Sequence, residues 1–452
     1  MQRHGQRSHE QHGQEHGQEH GHDHGHSHVA EDMLSVEEAY ERIMASFGPL
    51  EAEERPLLET LGQVLTANIT SPLDLPPMTN SAMDGYAVRG EDIRGATPDS
   101  PRELPVIGLI AAGQVPSQAV DPGTAIRIMT GAPVPEGADT VVPFEATDEV
   151  RRRNAGIALD RIAILSGLPL GSNLRPAGED LRRGQLVLEA GTVIRAAEVG
   201  VMASLGLEKA QVIRRPIVSI LATGDELTAA GQVLDGGKIY DSNSFTVAAS
   251  VMACGGIAKV LGIARDNLDD LRRKLDEAAP CDLVITSAGV SKGDYDIVKD
   301  VLNERGNINF WSVRMRPAKP LAFGHLRDPS GRTVPLLGLP GNPVSAMVAF
   351  EMFARPAIRT MLGRTPLNRP VVDGVLTSPI YNTDGRRVYA RVEVSRRDGT
   401  YYATPAGPQG SNILTSMSRA NALAICPEDL PVKNAGDPVR IIMLDWNEEV
   451  DI

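Results

Sequence analysis

Two hydrophobic periods alternate along this chain, and the places where one gives way to the other divide it. Residues 34–47 carry apolar side chains at helical spacing. Ser35 stands as N-cap, Glu38 follows three residues on, and Ala39, Ile43 and Phe47 share a face. Residues 52–60 read as a short helix, followed by an extended segment to residue 72. From 104 to 165 the period shortens. PVIGLIAAG, TAIRIMTGAPVP, DTVVPFEAT and GIALDRIAIL are short alternating runs between Gly and Pro turns, which predicts an all-β unit. Residues 173–209 return to mixed structure, with two short strands and then a helix, AAEVGVMASLG, stopped by glycine. The stretch 72–172 is therefore expected as a β domain inserted into a domain formed by 33–71 and 173–209.

Residues 210–362 are different again. Their apolar runs are continuous and β-branched, as strands buried on both faces of a parallel sheet are. Strands are predicted at 216–222, 257–263, 282–286 and 309–315, with helices near 243–254, 267–278 and 294–305. A further buried strand near 334 leads into the rigid turn Gly338-Leu339-Pro340-Gly341-Asn342-Pro343 and a long amphipathic helix, with Pro343 at its first position. Val344 and Ser345 then face whatever sits above the sheet. Residues 363–452 are β-rich, reading as a small barrel or sandwich. There DGRRVYARVEVS places Arg386 and Arg391 near each other on a strand, and 407–425 forms a loop and a short helix. The expected fold is thus multidomain α/β plus β: a doubly wound α/β domain, an inserted all-β domain and a C-terminal barrel-like domain. Residues 1–32, with nine of the ten histidines, have nothing apolar to bury and are expected to be a disordered tail with weak affinity for transition metals.

The chemistry gathers at the strand-to-loop junctions of 210–362. One is Thr223-Gly224-Asp225-Glu226; another is the loop YDSNS, with Asp241, Ser242 and Asn243. A third is Arg265-Asp266. The fourth runs from Ser287 through Gly289, Ser291 and Gly293 to Asp294 and Asp296. In an open α/β sheet, ligands sit beyond the carboxyl ends of the strands. Small residues there admit a phosphate to backbone N–H groups. Carboxylates would repel a bare phosphate, so their presence implies a bridging divalent cation. Any one of these acids alone is more often a helix cap; four junctions together favour a metal–phosphate site. Two loops of the inserted domain are also distinctive: PPMTNSAMDGYAVRG aims Asp84 outward, and RIMTGAPVPEGAD places Thr130 at a strand end.

Composition narrows the classes. A net charge of −13 and only 4% aromatic residues argue against a nucleic-acid partner. No apolar run is long enough to span a membrane, and the N-terminus is polar, so neither a membrane helix nor a leader is expected. Cys254, Cys281 and Cys426 are scattered and odd in number, which reads as free thiols in a reducing cytoplasm. His325 is the one histidine outside the tail, so no Ser-His-Asp or Cys-His arrangement competes.

As an ordered set, PPMTNSAMDGYAVR, TGAPVPEGAD, ATGDEL, YDSNS, TSAGVSKGDYD, RPAKPLAFG and GLPGNPVSA resemble the molybdopterin molybdenumtransferases, the MoeA and gephyrin E-domain family. The resemblance covers residues 33–445. It implies a cytoplasmic homodimer of elongated, four-domain subunits in which 210–362 binds molybdopterin. The implied activity inserts molybdate into adenylylated molybdopterin and hydrolyses the adenylate with Mg²⁺, releasing AMP. The cleft would lie between the α/β domain of one subunit and the inserted β domain of the other. Molybdopterin adenylyltransferase and molybdoenzymes would be partners. Carried onto this chain, the resemblance gives Asp84, Thr130, Glu226, Asp266 and Asp296 catalytic roles, with Asp225, Glu226, Asp266 and Asp296 as candidate metal ligands. Thr223, Gly224, Asp241, Ser242, Asn243, Ser287, Gly289, Ser291, Gly293, Pro340, Gly341, Asn342 and Pro343 would hold the pterin nucleotide. Arg316, Lys319, Pro320, Ser345, Arg386 and Ser411 would hold molybdate. One departure is visible: relatives often have KPGKP where this chain has Arg316-Pro317-Ala318-Lys319-Pro320. An adenylyltransferase is the alternative enzyme, but it leaves both β domains unexplained. A gephyrin-type scaffold is the alternative outside catalysis, but it does not need intact acidic loops.

Overall fold

The computed structural model describes residues 33–265, 267–278, 280–288 and 304–446. Its centre is a six-stranded sheet in the order Ile257–Ala264, Ile217–Thr223, Leu283–Ser287, Thr333–Leu339, Pro320–Arg327, Gly306–Ser312. The first four are parallel. Pro320–Arg327 runs antiparallel to both of its neighbours, Thr333–Leu339 and Gly306–Ser312. The physical reason is the short turn between Arg327 and Thr333, since a connection of that length can only return the chain antiparallel. The edge strand also begins at Gly306, ahead of the expected 309. The expected helix 294–305 lies almost wholly outside the described residues.

Both faces of the sheet are covered. Val218, Ile220, Leu283 and Ile285 pack on one side with Val247 and Val251 of the helix Asn243–Ala253 and with Phe350 and Phe353. Leu221, Val284 and Leu336 pack on the other with Leu271 and Leu275 of Leu268–Ala278. This two-sided burial is why the central strands carry mostly apolar residues on both faces. The helix starting at Pro343 runs through a π turn at Phe350–Ala354 to Met361. The first helix, Val36–Met44, is closed by a Ser35–Glu38 capping box and buries Val36, Ala39 and Ile43 in the core of this sheet.

The expectation of a helix over 52–60 is overturned. Ala52–Pro56 is a strand, paired antiparallel with Lys209–Ile213, and only Leu57–Thr60 turns, as a single 3₁₀ segment. Ala-Glu-Glu-Arg favours a helix locally, but the ladder to residue 213 wins. Leu186–Leu188 pairs with Ile69–Thr70, and Asn80–Ser81 with Leu174–Arg175, so the chain leaves and re-enters this region around a separate β unit. That unit is a five-stranded sheet ordered Thr140–Pro143, Gly85–Val88, Ala125–Ile128, Arg102–Ile110, Arg161–Ile164. A Thr147–Ile164 bridge brings its ends together. The C-terminal unit is a closed barrel: Arg387–Arg397, Thr400–Pro405, Val371–Leu376, Pro438–Met443 and Ala422–Cys426, which pairs again with Arg387–Arg397.

Candidate active site

A cavity of about 870 Å³ opens beyond the carboxyl ends of the parallel strands. Another, of about 780 Å³, lies at their amino ends beside Ile217, Ile257 and Asp282. The first is the candidate site, because diverging loops and helix starts at carboxyl ends leave backbone and polar groups for a ligand. At the amino ends, Asp282 instead accepts from Arg214 Nη1 (2.6 Å) and Nη2 (2.7 Å), Arg332 Nη2 (3.0 Å) and the Ile217 amide (2.9 Å), a network that ties elements together.

Five segments of the α/β domain and two of the C-terminal barrel build the cavity wall. Glu226 follows the strand Ile217–Thr223; Asp241, Ser242 and Asn243 open the next helix; Ser287 ends its strand; and Pro340, Gly341, Asn342, Pro343 and Ser345 form the turn and helix start. Arg316, Lys319 and Pro320 line the cavity from the segment before Pro320–Arg327, and Arg386 and Ser411 from the barrel. Acids and cations therefore meet in one cavity.

Asn243 is the floor of this arrangement. It is 8% exposed, and its Nδ2 donates to Ser287 Oγ and to the Gly341 carbonyl, both at 2.7 Å. Its Oδ1 and the Ser244 hydroxyl have no partner among the described residues, and buried acceptors of that kind call for one. Asp241 Oδ1 accepts from the Ser244 amide at 3.0 Å, so this acid both caps the helix and lines the cavity. Val344 faces the core and not the cavity; its amide donates to the Ser411 carbonyl at 3.1 Å, docking the barrel loop on the helix start.

Other predicted residues lie elsewhere. Thr223 is buried, its hydroxyl 3.5 Å from the Ser287 carbonyl. Gly224 sits at φ +138°, where a Cβ would come within 2.4 Å of the Glu226 carboxylate. Asp225 is engaged in an interaction of its own and is not on the cavity wall. Asp84 and Thr130 are together in the inserted domain: Asp84 Oδ1 accepts from the Thr130 amide (2.6 Å) and hydroxyl (2.8 Å). Those two bonds, the amide first, with the charge of Arg127, hold the Asp84 carboxyl below the usual carboxylate range. Arg127 also donates to the Gly85 carbonyl at 3.1 Å, fixing the backbone behind Asp84. Asp266, Gly289, Ser291, Gly293 and Asp296 lie outside the described residues.

Arg391 corrects the expectation that it neighbours Arg386 on a strand. Arg386 precedes the strand Arg387–Arg397, and Arg391, five residues on, points away from the barrel core that Val388, Ala390 and Val392 fill and is 1% exposed beneath the 408–416 segment. There Nε donates to Ser416 Oγ (3.0 Å), and Nη2 donates to the carbonyls of Pro408 (3.1 Å) and Gly410 (3.0 Å). Burial pushes this guanidinium down to about 10. The loop it holds presents Gln409 and Asn412 to the cavity, two residues the sequence reading missed. The only signal for them is the Gly-Pro-rich setting around Ser411. A second omission is Asp384, whose Oδ2 accepts from Arg386 Nε at 3.0 Å and lies 3.7 Å from Arg316 Nη1.

Fold and cavity together define a multidomain α/β protein whose charged cleft spans the tips of the central sheet and a C-terminal barrel. Family models match in series: "MoeA N-terminal region (domain I and II)" over 34–206, "Probable molybdopterin binding domain" over 219–360 and "MoeA C-terminal region (domain IV)" over 373–444. Molybdopterin molybdenumtransferase 2 of Mycobacterium tuberculosis is 39% identical over 393 residues, covering 85% of this chain and 93% of that one. Molybdopterin molybdenumtransferase of Nostoc is 37% identical, covering 85% and 86%. A solved molybdopterin biosynthesis MoeA protein of Pyrococcus horikoshii OT3 is 29% identical with a TM-score of 0.69, covering 91% of this chain and all of that one. The chain belongs to the molybdopterin molybdenumtransferase family.

Proposed function

We propose that this enzyme inserts molybdenum from molybdate into adenylylated molybdopterin and hydrolyses the adenylate, releasing AMP and the molybdenum cofactor. The observation that carries the proposal is the convergence of Arg316, Lys319, Arg386, Ser345 and Ser411, from two domains, on the cavity that Asn243 and Ser287 floor. A tetrahedral dianion is best held by guanidinium, ammonium and hydroxyl donors. The unpartnered Asn243 Oδ1 suits an N–H donor such as a pterin carries. In the reaction, the two dithiolene thiols form S–Mo bonds while oxygen leaves molybdenum as water with the thiol protons, and water cleaves the phosphoanhydride to give AMP and the phosphate of the pterin.

Mg²⁺ belongs to this proposal through the family. No three carboxylate, His or Cys groups converge among the described residues, so these do not by themselves fit a cation. Glu226 is the described acid on the cavity wall that such an ion would use. The proposed subunit has four domains, 33–71 with 173–209, 72–172, 210–362 and 363–452, and works as a cytoplasmic homodimer in which Asp84 and Thr130 of one subunit face the other's cavity. Two features support the pairing of subunits. Asp84 is absent from its own chain's cavity. The helix Asn243–Ala253, which begins at the cavity, exposes Phe245 and Met252 on its outer face. Among the described residues no helix is long and apolar enough to cross a membrane. Hand-off from an adenylyltransferase and on to molybdoenzymes completes the reading.

The test is incubation with adenylylated molybdopterin, Mg²⁺ and molybdate, following AMP. Release triggered by molybdate is expected; ATP consumption with molybdopterin in its absence would instead mark an adenylyltransferase.

A further inference from the structure

One carboxylate is shared by two of the three cations that line the cavity among the described residues. Asp384 Oδ2 accepts from Arg386 Nε at 3.0 Å and also from its Nη2, and stands 3.7 Å from Arg316 Nη1. The same barrel loop holds Arg316 through Thr383 Oγ1 at 3.2 Å and through the Tyr381 carbonyl. Asp384 itself is not on the cavity wall. It therefore stands behind the guanidinium groups, where it fixes their direction without competing for the space they face. Arg316, Lys319 and Arg386 bring three positive charges to this corner; Asp384 cancels one, and the two that remain match a dianion. Glu226 and Asp241 line the cavity from other loops, at the strand tips.

We infer that Asp384 is a positioning residue that sets the charge of the oxyanion corner, aiming both guanidinium groups while holding the affinity for a dianion low enough for release to the second substrate. The inference rests on the reading of this cavity as an oxyanion site. Partial burial pushes the Asp384 carboxyl up, but the Arg386 hydrogen bond and the charges of Arg386 and Arg316 outweigh it and keep the group below the usual carboxylate range.

Asp384→Asn separates aim from charge. A single oxygen, Oδ2, serves Arg386, and an amide oxygen can take its place. What disappears is a negative charge whose repulsion scales with the charge of the bound anion. Molybdate and perrhenate are both tetrahedral oxyanions, carrying two charges and one. Calorimetry on the full chain at low ionic strength should show D384N binding perrhenate about threefold and molybdate about tenfold more tightly, as a charge about 7 Å away in a water-like dielectric predicts. The gain for molybdate is thus near the square of the gain for perrhenate, and both shrink as salt is raised. Asp384→Ala, which also removes the acceptor, should bind both anions more weakly than D384N. Equal changes for the two anions in D384N, or weaker binding of both, would overturn the role of Asp384 and leave the oxyanion reading standing. Failure of the unaltered protein to bind either anion would overturn the oxyanion reading, and this inference with it.

Discussion

Arg386→Ala tests the anion corner where its geometry is most explicit. The guanidinium spends Nε and Nη2 on Asp384, and Nη1 lies a loose 3.4 Å from the Met315 carbonyl, so N–H groups remain for a ligand in the cavity they line. A hydrogen bond to a charged partner contributes about 1.5–3 kcal/mol, or roughly 10- to 150-fold in affinity. The substitution also leaves Asp384 with Arg316 as its remaining arginine neighbour, adding repulsion toward a dianion. Molybdate affinity should therefore fall by about 100-fold, the upper part of that range. Adenylylated molybdopterin, whose proposed contacts are at Asn243, Ser287 and the 340–343 turn, should change by less than about threefold. Calorimetry or equilibrium dialysis with each ligand separately provides the comparison. Adding Asp384→Ala to the Arg386→Ala chain should restore part of the molybdate affinity, because the stranded carboxylate is gone. Equal losses for both ligands would refute a distinct oxyanion corner, and an unchanged double variant would refute the repulsion term.

The remaining predictions concern stability and assembly. Asp282→Asn removes the carboxylate that Arg214 and Arg332 share, leaving Arg214 with Glu51 alone, and should cost about 1.5–3 kcal/mol in chemical unfolding at pH 7. Burial raises the Asp282 carboxyl, but bonds from Arg214, Ile217 and Arg332 outweigh it and leave it below its ordinary value. A depressed folded-state pKa gives stability that is full above the unfolded value near 4 and is lost as pH falls through the lower folded one. The unaltered protein should thus lose stability below about pH 4 with a limb that Asp282→Asn flattens, and identical acid limbs would sink the assignment. Phe245→Glu should convert the proposed dimer to a monomer in light scattering with circular dichroism unchanged, since Phe245 (60% exposed) and Met252 (65%) lie two helical turns apart on one outward face. A persistent dimer would place the subunit interface elsewhere.

Legibility from sequence followed the range over which each residue's behaviour is decided. Strands such as Ile217–Thr223 and Leu283–Ser287 were readable because two-sided burial writes itself into every position. The loops after them could be singled out because hydroxyl, glycine and acid residues replace apolar ones abruptly. Ala52–Pro56 was misread because its helical propensity is local, whereas its partner strand is more than 150 residues away. Arg391 was misread because a strand of alternating character does not say which face a barrel will close around. Gln409 and Asn412 reach the cavity, and Asp384 reaches Arg316, through the docking of one domain on another, typified by the bond from the Val344 amide to the Ser411 carbonyl. No period in either segment encodes that contact.

The departure at 316–320 shows what the site requires of its backbone. Ala318 sits at φ +75° and is almost wholly buried. An L-residue in the left-handed region costs about 1–2 kcal/mol, and here the corner keeps that conformation with its methyl packed in the core of the central sheet. The corner turns the chain between Arg316 and Lys319, and both side chains line the cavity as a result. A relaxed backbone at 318 would redirect at least one of the two. The long planar guanidinium of Arg316 reaches Tyr381, Thr383 and Asp384 across the domain boundary, so the basic corner is braced by the barrel as well as aimed by its own turn. The left-handed alanine and the shared carboxylate are thus two parts of one arrangement: the first fixes where the cations emerge, and the second fixes how strongly they hold an anion.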